Sequence, residues 1–197
     1  VDQGKVKIDA PVYIYLADFR GPERDKITVR HLLTHTAGLV QWQPLYYHAA
    51  TKAETYQVIR KMALKWAVGE GYHYSDLGFM LLGYIAEQVA GRPLDAFLAE
   101  ALYRPMGLRA TTFLPHKHGF ADFAVTESGN GYERHMVYGP DFGYGYPGDP
   151  KSWDGWRKYV LNGEVDDGNA WYANGGVAGH AGLFSTGGEQ HLQERSE

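Results

Sequence analysis

The sequence lacks cysteine entirely among its 197 residues. Disulfide bonds, cysteine nucleophiles and thiolate metal sites are therefore excluded for this chain. It also lacks any apolar run approaching the roughly 20 residues that a membrane-spanning helix needs, so no membrane span is predicted. The formal net charge is only −4, which gives no electrostatic basis for binding nucleic acid or an anionic membrane surface. The N-terminus, VDQGKVKIDAP, has no secretory signal pattern and is typical of the interior of a longer protein.

The composition is otherwise that of an ordinary globular protein, with unusually many glycines and tyrosines. Its 44% hydrophobic content and its length are enough for one domain with a sizeable core. Most of the 25 glycines lie in the second half, and the 15 tyrosines are spread over the whole chain. That half is therefore predicted to be rich in loops with aromatic linings.

The stretch YHYSDLGFMLLGYIAEQVAGRPL, residues 72–94, carries the clearest helical pattern. Its apolar residues fall on one stripe at helical spacing: Leu77, Met80, Leu81, Tyr84, Ile85 and Val89. Gly91 supplies a stop signal, and Asp76 is predicted as the N-cap. The spacing thus predicts a central helix packed on a core, with Tyr74 and Ser75 on the loop that enters it.

Capping signals predict two further helices before this one. Thr28 is a good N-cap for a short helix over residues 29–34. Thr51 and Glu54 fit a capping box, and the helix that they open is predicted to run to about Val68.

After the central helix the pattern changes. An amphipathic helix is predicted over residues 94–102, and beyond residue 107 the periodicity fades. The apolar pieces predicted as small strands are 111–114, 123–126, 136–138 and 159–161. For residues 12–16, β-propensity favours a strand, but a short helix or an extended link stays open. Residues 27–106 are thus predicted to form a helical lobe, residues 107–186 a loop-rich part, and residues 187–197 an atypical polar tail.

Three stretches taken together carry a family resemblance: ITVRHLLTHTAGL, YSDLGFMLLGYIAEQVAG and GGVAGHAGLFST. In this order they resemble the serine β-lactamase and penicillin-binding protein family, on the side of class C β-lactamases, DD-peptidases and related esterases. The resemblance implies an α+β fold with an antiparallel sheet flanked by helices and an active site between sheet and helical lobe. Residues 1–186 would be a partial β-lactamase-like domain, mainly that lobe plus loop-rich segments with short strands.

The resemblance also assigns the candidate site residues. The family builds its site from Ser-x-x-Lys, Tyr-x-Asn, and Lys-Thr-Gly or His-Thr-Gly. Tyr74-Ser75-Asp76 matches the second element, with Tyr74 as general base or proton relay and Asp76 where asparagine is usual. An ionised aspartate only accepts hydrogen bonds, whereas asparagine also donates them. Ser75 is placed in the substrate-binding set. His180 and Gly182 join it because His-Ala-Gly superficially resembles His-Thr-Gly, although GGVAGHAGLFST precedes the third element in the family.

The first element is not found in this sequence. None of the five serines is followed by a lysine at the third position, and in the family that element lies upstream of the stretch matching VDQGKVKIDAPV. We therefore expect a fragment that lacks both ends of a larger serine hydrolase and is inactive as an isolated chain. The parent would cleave an amide or ester, in a β-lactam, a D-Ala-D-Ala peptide or an ester, through an acyl-serine intermediate. The resemblance suggests an extracytoplasmic or periplasmic location, and exposed helix faces suggest self-association.

Two alternatives stay open beside this hypothesis. A non-catalytic homologue would bind cell-wall peptide or glycan through tyrosine-rich loops, and Tyr144, in the loop 138–150, is placed in the substrate-binding set on that basis. His31 and His35 have a spacing able to hold a metal, but hydrogen-bonded histidines are the favoured interpretation, and we predict neither a metal site nor a cofactor. Asp167 and Asn169 are expected to fix the backbone of their loop rather than touch substrate.

Overall fold

A computed structural model describes residues 1, 3–139, 146 and 148–189. The helices and strands are α1 (Val29–Leu33), α2 (Lys52–Lys61), α3 (Asp76–Ala90), α4 (Leu94–Leu98, continued by a π-helical turn over Ala99–Tyr103), β1 (Thr112–Phe113), α5 (Gly131–Tyr138), α6 (Gly168–Asn174) and β2 (Leu183–Phe184). Short 3₁₀ turns at Val12–Ile14, Arg24–Lys26, Leu45–Tyr47, Pro115–His118 and Pro150–Ser152 connect them. None of the helices in these parts of the chain is long and apolar enough to cross a membrane.

The central helix α3 is confirmed with its predicted apolar stripe and stop signal. Its inward face is buried, and Gly91 ends it in the left-handed conformation at φ 67°. The prediction that Asp76 is the N-cap is wrong, because Ser75 holds that position and accepts a hydrogen bond from the Gly78 N–H. Asp76 is the first helical residue, and its own N–H donates to the Gln41 carbonyl.

The two earlier helices begin where their capping signals place them. Thr51 and Glu54 form a capping box at the start of α2. Thr28 and His31 form a second one at the start of α1, in which the His31 side chain accepts from the Thr28 N–H. Helix α2 is shorter than predicted and ends at Lys61 rather than near Val68. Met62 is extended, and the chain beyond it bonds instead to the Gly38 carbonyl through the N–H groups of residues 65 and 66.

The largest core lies in the helical lobe and extends to the N-terminal turns. Helix α3 packs against α1 and α4. Aliphatic and aromatic side chains from the N-terminal segment, from α1, α2 and α3 and from the loop between α1 and α2 fill the centre, among them Val12, Phe19, Ile27, Leu32, Leu39, Ile59, Leu77, Met80 and Leu81. Burial of this apolar surface is what positions the α3 N-terminus and the loop before it.

The loop-rich part contains less strand than predicted. Within the described residues it has a two-stranded antiparallel sheet, in which Thr112 of β1 pairs with Phe184 of β2. The strand predicted over 136–138 is wrong: these residues end α5, and Val137 is buried in an aromatic cluster with Trp42, Tyr46 and Trp156. Residues 123–126 are irregular, and the 159–161 stretch is reduced to one isolated bridge between Val160 and Ser128. Residues 12–14 form a 3₁₀ turn, which closes the alternative left open for that segment.

Candidate functional site

The loop that enters α3 is held in place by His35. The His35 carbonyl accepts from the His73 N–H, and its Nδ1 accepts from the Ser75 N–H at 3.0 Å. The imidazole ring also packs on Tyr74, with ring centroids 4.5 Å apart, and stacks on Phe79 at 4.9 Å. An Nδ1 acceptor fixes the tautomer with the proton on Nε2. His35 therefore sets the conformation of the loop that carries the predicted catalytic tyrosine.

Tyr74 projects from this loop with 56% of its surface exposed. Its pKa is raised, first by partial burial and then by the negative charge of Asp76. A tyrosine acts as a base when a neighbouring cation lowers its pKa. The charges that act on Tyr74 within the described residues work in the opposite direction, so the tyrosine is accessible but not activated by them.

Ser75 is placed differently from its neighbour. It is only 4% exposed, and its hydroxyl donates to the Val40 carbonyl at 2.7 Å while capping α3. Both hydrogen bonds of the Ser75 hydroxyl are thus made within the protein. The substrate-binding role of Ser75 stays a prediction.

The segment GGVAGHAG lies directly on α3 because two glycines meet there. A Cβ on Gly179 would overlap the Phe79 carbonyl oxygen, and one on Gly83 would lie 3.0 Å from the Gly179 Cα. Only glycine permits this approach of backbone to helix. The consequence is that the next residue, His180, lies at the α3 N-terminus beside Asp76.

His180 forms a buried ion pair there with Asp167, at 2.9 Å between Nε2 and Oδ1. Burial alone would lower the pKa of His180, but the hydrogen bond and charge of Asp167, helped by Asp76, raise it. Burial likewise opposes ionisation of Asp167, whereas His180 and the Ala170 N–H lower its pKa. The pKa of Asp76 is raised to about 6, chiefly by burial, with His180 acting against the shift. These three groups form one electrostatic unit next to Tyr74.

Gly182 marks a turn rather than a polar contact. Its φ is 108°, and a Cβ there would lie 2.7 Å from the Gly176 carbonyl oxygen. The glycine is thus required by the backbone, and its predicted role in substrate binding stays a prediction. Tyr144, the remaining predicted binding residue, lies outside the described residues.

An acidic cleft of about 370 Å³ opens beside Asp76. Its acidic lining comes from α3, from α5 and from the loops before α5 and α6, and consists of Asp76, Glu127, Glu133, Asp166 and Asp167. Trp42, Tyr132 and Met136 complete the lining. Glu133 is the most buried of the acids, at 7% exposure, and burial followed by the charge of Asp167 raises its pKa to about 8.

The loop before α6 is fixed by side chains, as the sequence analysis expected. Asp167 caps α6 by accepting from the Ala170 N–H, and the Asn169 amide donates to the Gln43 carbonyl and accepts from the Leu45 N–H, both at 2.8 Å. His31 Nδ1 accepts from the Thr28 N–H at the start of α1, and His35 Nδ1 accepts from the Ser75 N–H. Among the described residues, no group of three or more histidine or acidic side chains is arranged to hold a metal ion.

Sequence reasoning missed Glu133 and Asp166. It interpreted His35 as a hydrogen-bonded histidine, with a metal ligand as the alternative, but did not connect it to the loop that carries Tyr74. The sequence pattern predicts a strand over residues 136–138, and it therefore does not predict that Glu133 lies on a helix that faces Gly168. Helix α5 is positioned by contacts with residues distant in the sequence, and no local sequence pattern predicts those contacts.

Comparison with known proteins agrees with this placement. A family model described as Beta-lactamase matches residues 1–189. An N-acetylmuramyl-L-alanine amidase of Bacillus subtilis (strain 168) is 33% identical over 200 residues, covering 94% of this chain and 42% of the relative. A putative D-alanyl-D-alanine carboxypeptidase of Escherichia coli (strain K12) is 32% identical over 205 residues, covering 96% of this chain and 44% of the relative.

A solved structure shares the fold. The octameric penicillin-binding protein homologue from Pyrococcus abyssi superposes with a TM-score of 0.65 at 20% identity, covering 99% of this chain and 41% of that one. The β-lactamase and transpeptidase-like fold inferred from the motifs is therefore confirmed. The chain spans less than half the length of the curated relatives that it matches.

Proposed function

Because this chain belongs to the β-lactamase family, we propose that it forms the tyrosine side of a serine hydrolase active site, which cleaves an amide or ester through an acyl-serine intermediate. The observation that carries the proposal is the placement of Tyr74. Its ring is exposed at the N-terminal end of α3, on a loop that His35 and Ser75 hold rigidly. A catalytic group needs this combination of access and fixed position.

In this proposal Tyr74 moves a proton during acylation. The serine oxygen attacks the substrate carbonyl, its proton passes to the tyrosine phenolate, and the proton then goes to the departing amine or alcohol. The raised pKa of Tyr74 means that a cation must be supplied to form the phenolate. The lysine of Ser-x-x-Lys has that role in the family, and no serine in these 197 residues is followed by lysine at the third position. We therefore propose that the chain alone does not form the acyl-enzyme.

The substrate class follows from the relatives' names. They include a D-alanyl-D-alanine carboxypeptidase and an N-acetylmuramyl-L-alanine amidase, both named for cleaving amide bonds of cell-wall components. We propose a cell-wall peptide as substrate, with a β-lactam or an ester as the alternatives that the same chemistry accepts. The octameric neighbour is compatible with self-association, which we retain as a proposal.

Intact mass measurement after incubation with a penicillin, and separately with an activated ester, tests this proposal. We expect no adduct on the folded 197-residue chain. The full product of the gene, if it carries Ser-x-x-Lys, should gain one acyl group per molecule. Tyr74→Phe in that product should slow acylation by about a hundredfold or more, since general acid–base catalysis contributes on that order.

Tyr15→Phe provides a matched control, because it removes a tyrosine hydroxyl that lies away from the site and accepts from the Lys7 N–H. It should leave acylation unchanged. A stoichiometric adduct on the 197-residue chain would contradict the proposed lack of a nucleophile. Unchanged acylation in Tyr74→Phe would remove Tyr74 from the reaction.

A further inference from the structure

Successive side chains of the loop before α3 have different partners. Tyr72 and Tyr74 both contact the His35 ring, with centroids 5.5 Å and 4.5 Å away. His73, between them, instead stacks flat on Trp66, with centroids 3.6 Å apart and planes 4° from parallel. This alternation is typical of an extended segment, in which neighbouring side chains point to opposite faces. The His35 ring thus lies against the face of the loop that carries Tyr74.

His35 also bonds to the backbone of the loop through two of its atoms. Its carbonyl accepts from the His73 N–H at 2.8 Å, and its Nδ1 accepts from the Ser75 N–H at 3.0 Å. Ser75 is only 4% exposed, so the imidazole takes the place of water as the acceptor for this N–H. The ring of Phe79 stacks on the imidazole at 4.9 Å and joins the arrangement to α3.

The backbone of His35 is in the left-handed conformation, at φ 54°. A residue other than glycine is uncommon there, and it persists only where the surrounding contacts determine its position. At His35 those contacts are the two hydrogen bonds and the ring contacts with the tyrosine loop. The strain is therefore maintained by the same interactions that place Tyr74.

We propose that His35 is a positioning residue that holds Tyr74 only as a neutral imidazole, so that protonation of Nδ1 releases the loop. The lone pair that accepts from the Ser75 N–H is the one that takes a second proton. A protonated Nδ1 is a donor that faces another donor, so the bond is lost and the buried N–H has no acceptor. The catalytic importance of Tyr74 rests on the proposed function, whereas the hold on the loop does not.

Partial burial, and no neighbouring charge among the described residues, lowers the pKa of His35. The titratable groups on the segments packed around it are His31, Glu70, Tyr72, His73, Tyr74 and Asp76. The two cations of these segments are used elsewhere, since Arg30 pairs with Asp9 and Lys65 lies over the Trp66 ring.

The ionisable groups at the start of α3 work in the opposite direction to His35. The pKa of Asp76 is raised to about 6, chiefly by burial, and that of His180, behind it, is also raised. Protonation of either group favours the folded arrangement, so neither produces a loss of order as the pH falls. An acid-induced opening of the loop is therefore the expected signature of His35.

NMR spectroscopy of the 197-residue chain tests the inference directly. At neutral pH, correlation of the ring protons with the ring nitrogens should show an unprotonated Nδ1 and a protonated Nε2 in His35. Amide hydrogen exchange of Ser75, corrected for the intrinsic rate, should accelerate as the pH falls below the ordinary histidine value of 6.5. The open population should rise by up to about tenfold per pH unit until the lower pKa of the folded state is reached.

Two variants separate the acceptor from the ring. In His35→Asn the Oδ1 occupies the place of Nδ1 and accepts without titrating, and asparagine tolerates the left-handed conformation. We expect it to keep the Ser75 amide protected and to lose the pH dependence. His35→Phe keeps an aromatic ring but no acceptor, so protection of Ser75 should fall about tenfold even at neutral pH.

His73→Phe is the matched control, because it replaces a histidine of the same loop and keeps a ring against Trp66. Its backbone N–H still donates to the His35 carbonyl. We expect Ser75 exchange in this variant to show the same acid dependence as in the unaltered chain.

The full gene product gives the catalytic readout. His35→Phe should slow acylation by up to about a hundredfold, through kcat rather than KM, because the tyrosine is no longer held in place. His35→Asn should restore most of the rate. A role of His35 in folding alone would predict neither this rescue nor the loss of pH dependence at Ser75.

Several outcomes overturn the inference. A proton on Nδ1 at neutral pH would exclude the acceptor role, and this result does not depend on any variant being folded. Unchanged Ser75 exchange in His35→Phe, or an undiminished acid dependence in His35→Asn, would do so as well. Loss of Ser75 protection without any acyl adduct on the full gene product keeps this inference and removes the proposed hydrolysis. Acylation at an equal rate in His35→Phe keeps the hydrolysis and removes the positioning role.

Discussion

The helical lobe and the loop-rich part are held together by different forces. Leu77, Leu81 and Ile59 in the lobe are fully buried among other aliphatic side chains. In the loop-rich part, the buried groups include Glu133 and Arg157, each at 7% exposure. Apolar burial is non-directional and stabilises in proportion to area. Buried charges stabilise only when each finds its partners. The stability of the helical lobe thus depends on the amount of apolar surface that is buried, whereas the stability of the loop-rich part depends on which polar atoms are paired.

The largest expected effect comes from removing the guanidinium at the centre of the polar network. Arg157 donates to Asn130 Oδ1, to Glu164 and to the carbonyls of Val165 and Asp166. Arg157→Met keeps much of the side-chain volume but removes all of these hydrogen bonds at once. Asn130 Oδ1 then keeps only the Tyr172 hydroxyl as donor, and the Asp166 carbonyl keeps only the Asn130 amide. We expect a loss of about 4 kcal/mol in the free energy of unfolding, measured by urea denaturation.

Amide hydrogen exchange shows which region of the Arg157→Met variant is destabilised. Protection should fall first in α5 and α6, which the network joins, and less in α3. Arg104→Met, at an exposed position, should change stability by no more than about 0.5 kcal/mol. Equal loss of protection in the helical lobe and in the loop-rich part would show that the two unfold as one unit. The difference in the forces that hold them would then have no effect on their separate stabilities.

A smaller effect is expected from the aliphatic core. Leu77 is 0% exposed on the inward face of α3, so Leu77→Ala removes buried methyl groups and leaves a cavity. The expected cost is about 3 kcal/mol in the free energy of unfolding by urea denaturation. Leu102→Ala is the matched control, since Leu102 is 45% exposed, and it should cost less than about 1 kcal/mol. A cost for Leu77→Ala as small as that of the control would contradict the assignment of this core as the main source of stability.

This contrast explains how much of the fold the sequence predicts. Helix α3 follows from the spacing of six apolar residues, and the starts of α1 and α2 follow from Thr28 and Thr51, because these signals are local. The early end of α2 does not, since it depends on the Gly38 carbonyl, which accepts from residues more than twenty positions away. For the same reason, the strand predicted over residues 136–138 is wrong, and these residues end α5. Its place is set by a tertiary bond between Glu133 and Gly168, and local propensity gives way to such contacts.

The candidate site shows the same division. The motif Tyr74-Ser75-Asp76 could be found from the sequence, but the roles within it changed: Ser75, not Asp76, caps the helix. The partnership of Asp167 with His180 spans 13 positions and depends on the close approach of Gly179 to α3. The acidic cleft joins residues from four segments of the chain. No periodicity relates them, so only the folded chain reveals it.

The smallest expected effect, counted per pH unit, is a slope of stability with pH, which should belong to the loop-rich part. The pKa of Glu133 is about 8 in the folded chain, against an ordinary value of 4.5. Between these values the unfolded chain has released a proton that the folded chain keeps, so stability falls as pH rises, by about 1.4 kcal/mol per pH unit. His180, with a raised pKa, adds a loss in the same direction above its ordinary value of 6.5. Glu133→Gln removes the first contribution and should flatten the decline measured by urea denaturation at several pH values between 5 and 8.

The helical lobe should not share this slope. Hydrogen exchange across the same pH range, corrected for the intrinsic exchange rate, should show protection falling in α5 and α6 while the core amides of α3 keep theirs, as long as the two parts open separately. A decline of equal steepness in the unaltered chain and in Glu133→Gln would mean that Glu133 is ionised in the folded state despite its burial. The cleft would then already hold a compensating positive charge. In that case the loop-rich part would contain a compensated ion pair in place of a protonated carboxyl, and the pH dependence would no longer distinguish the two parts.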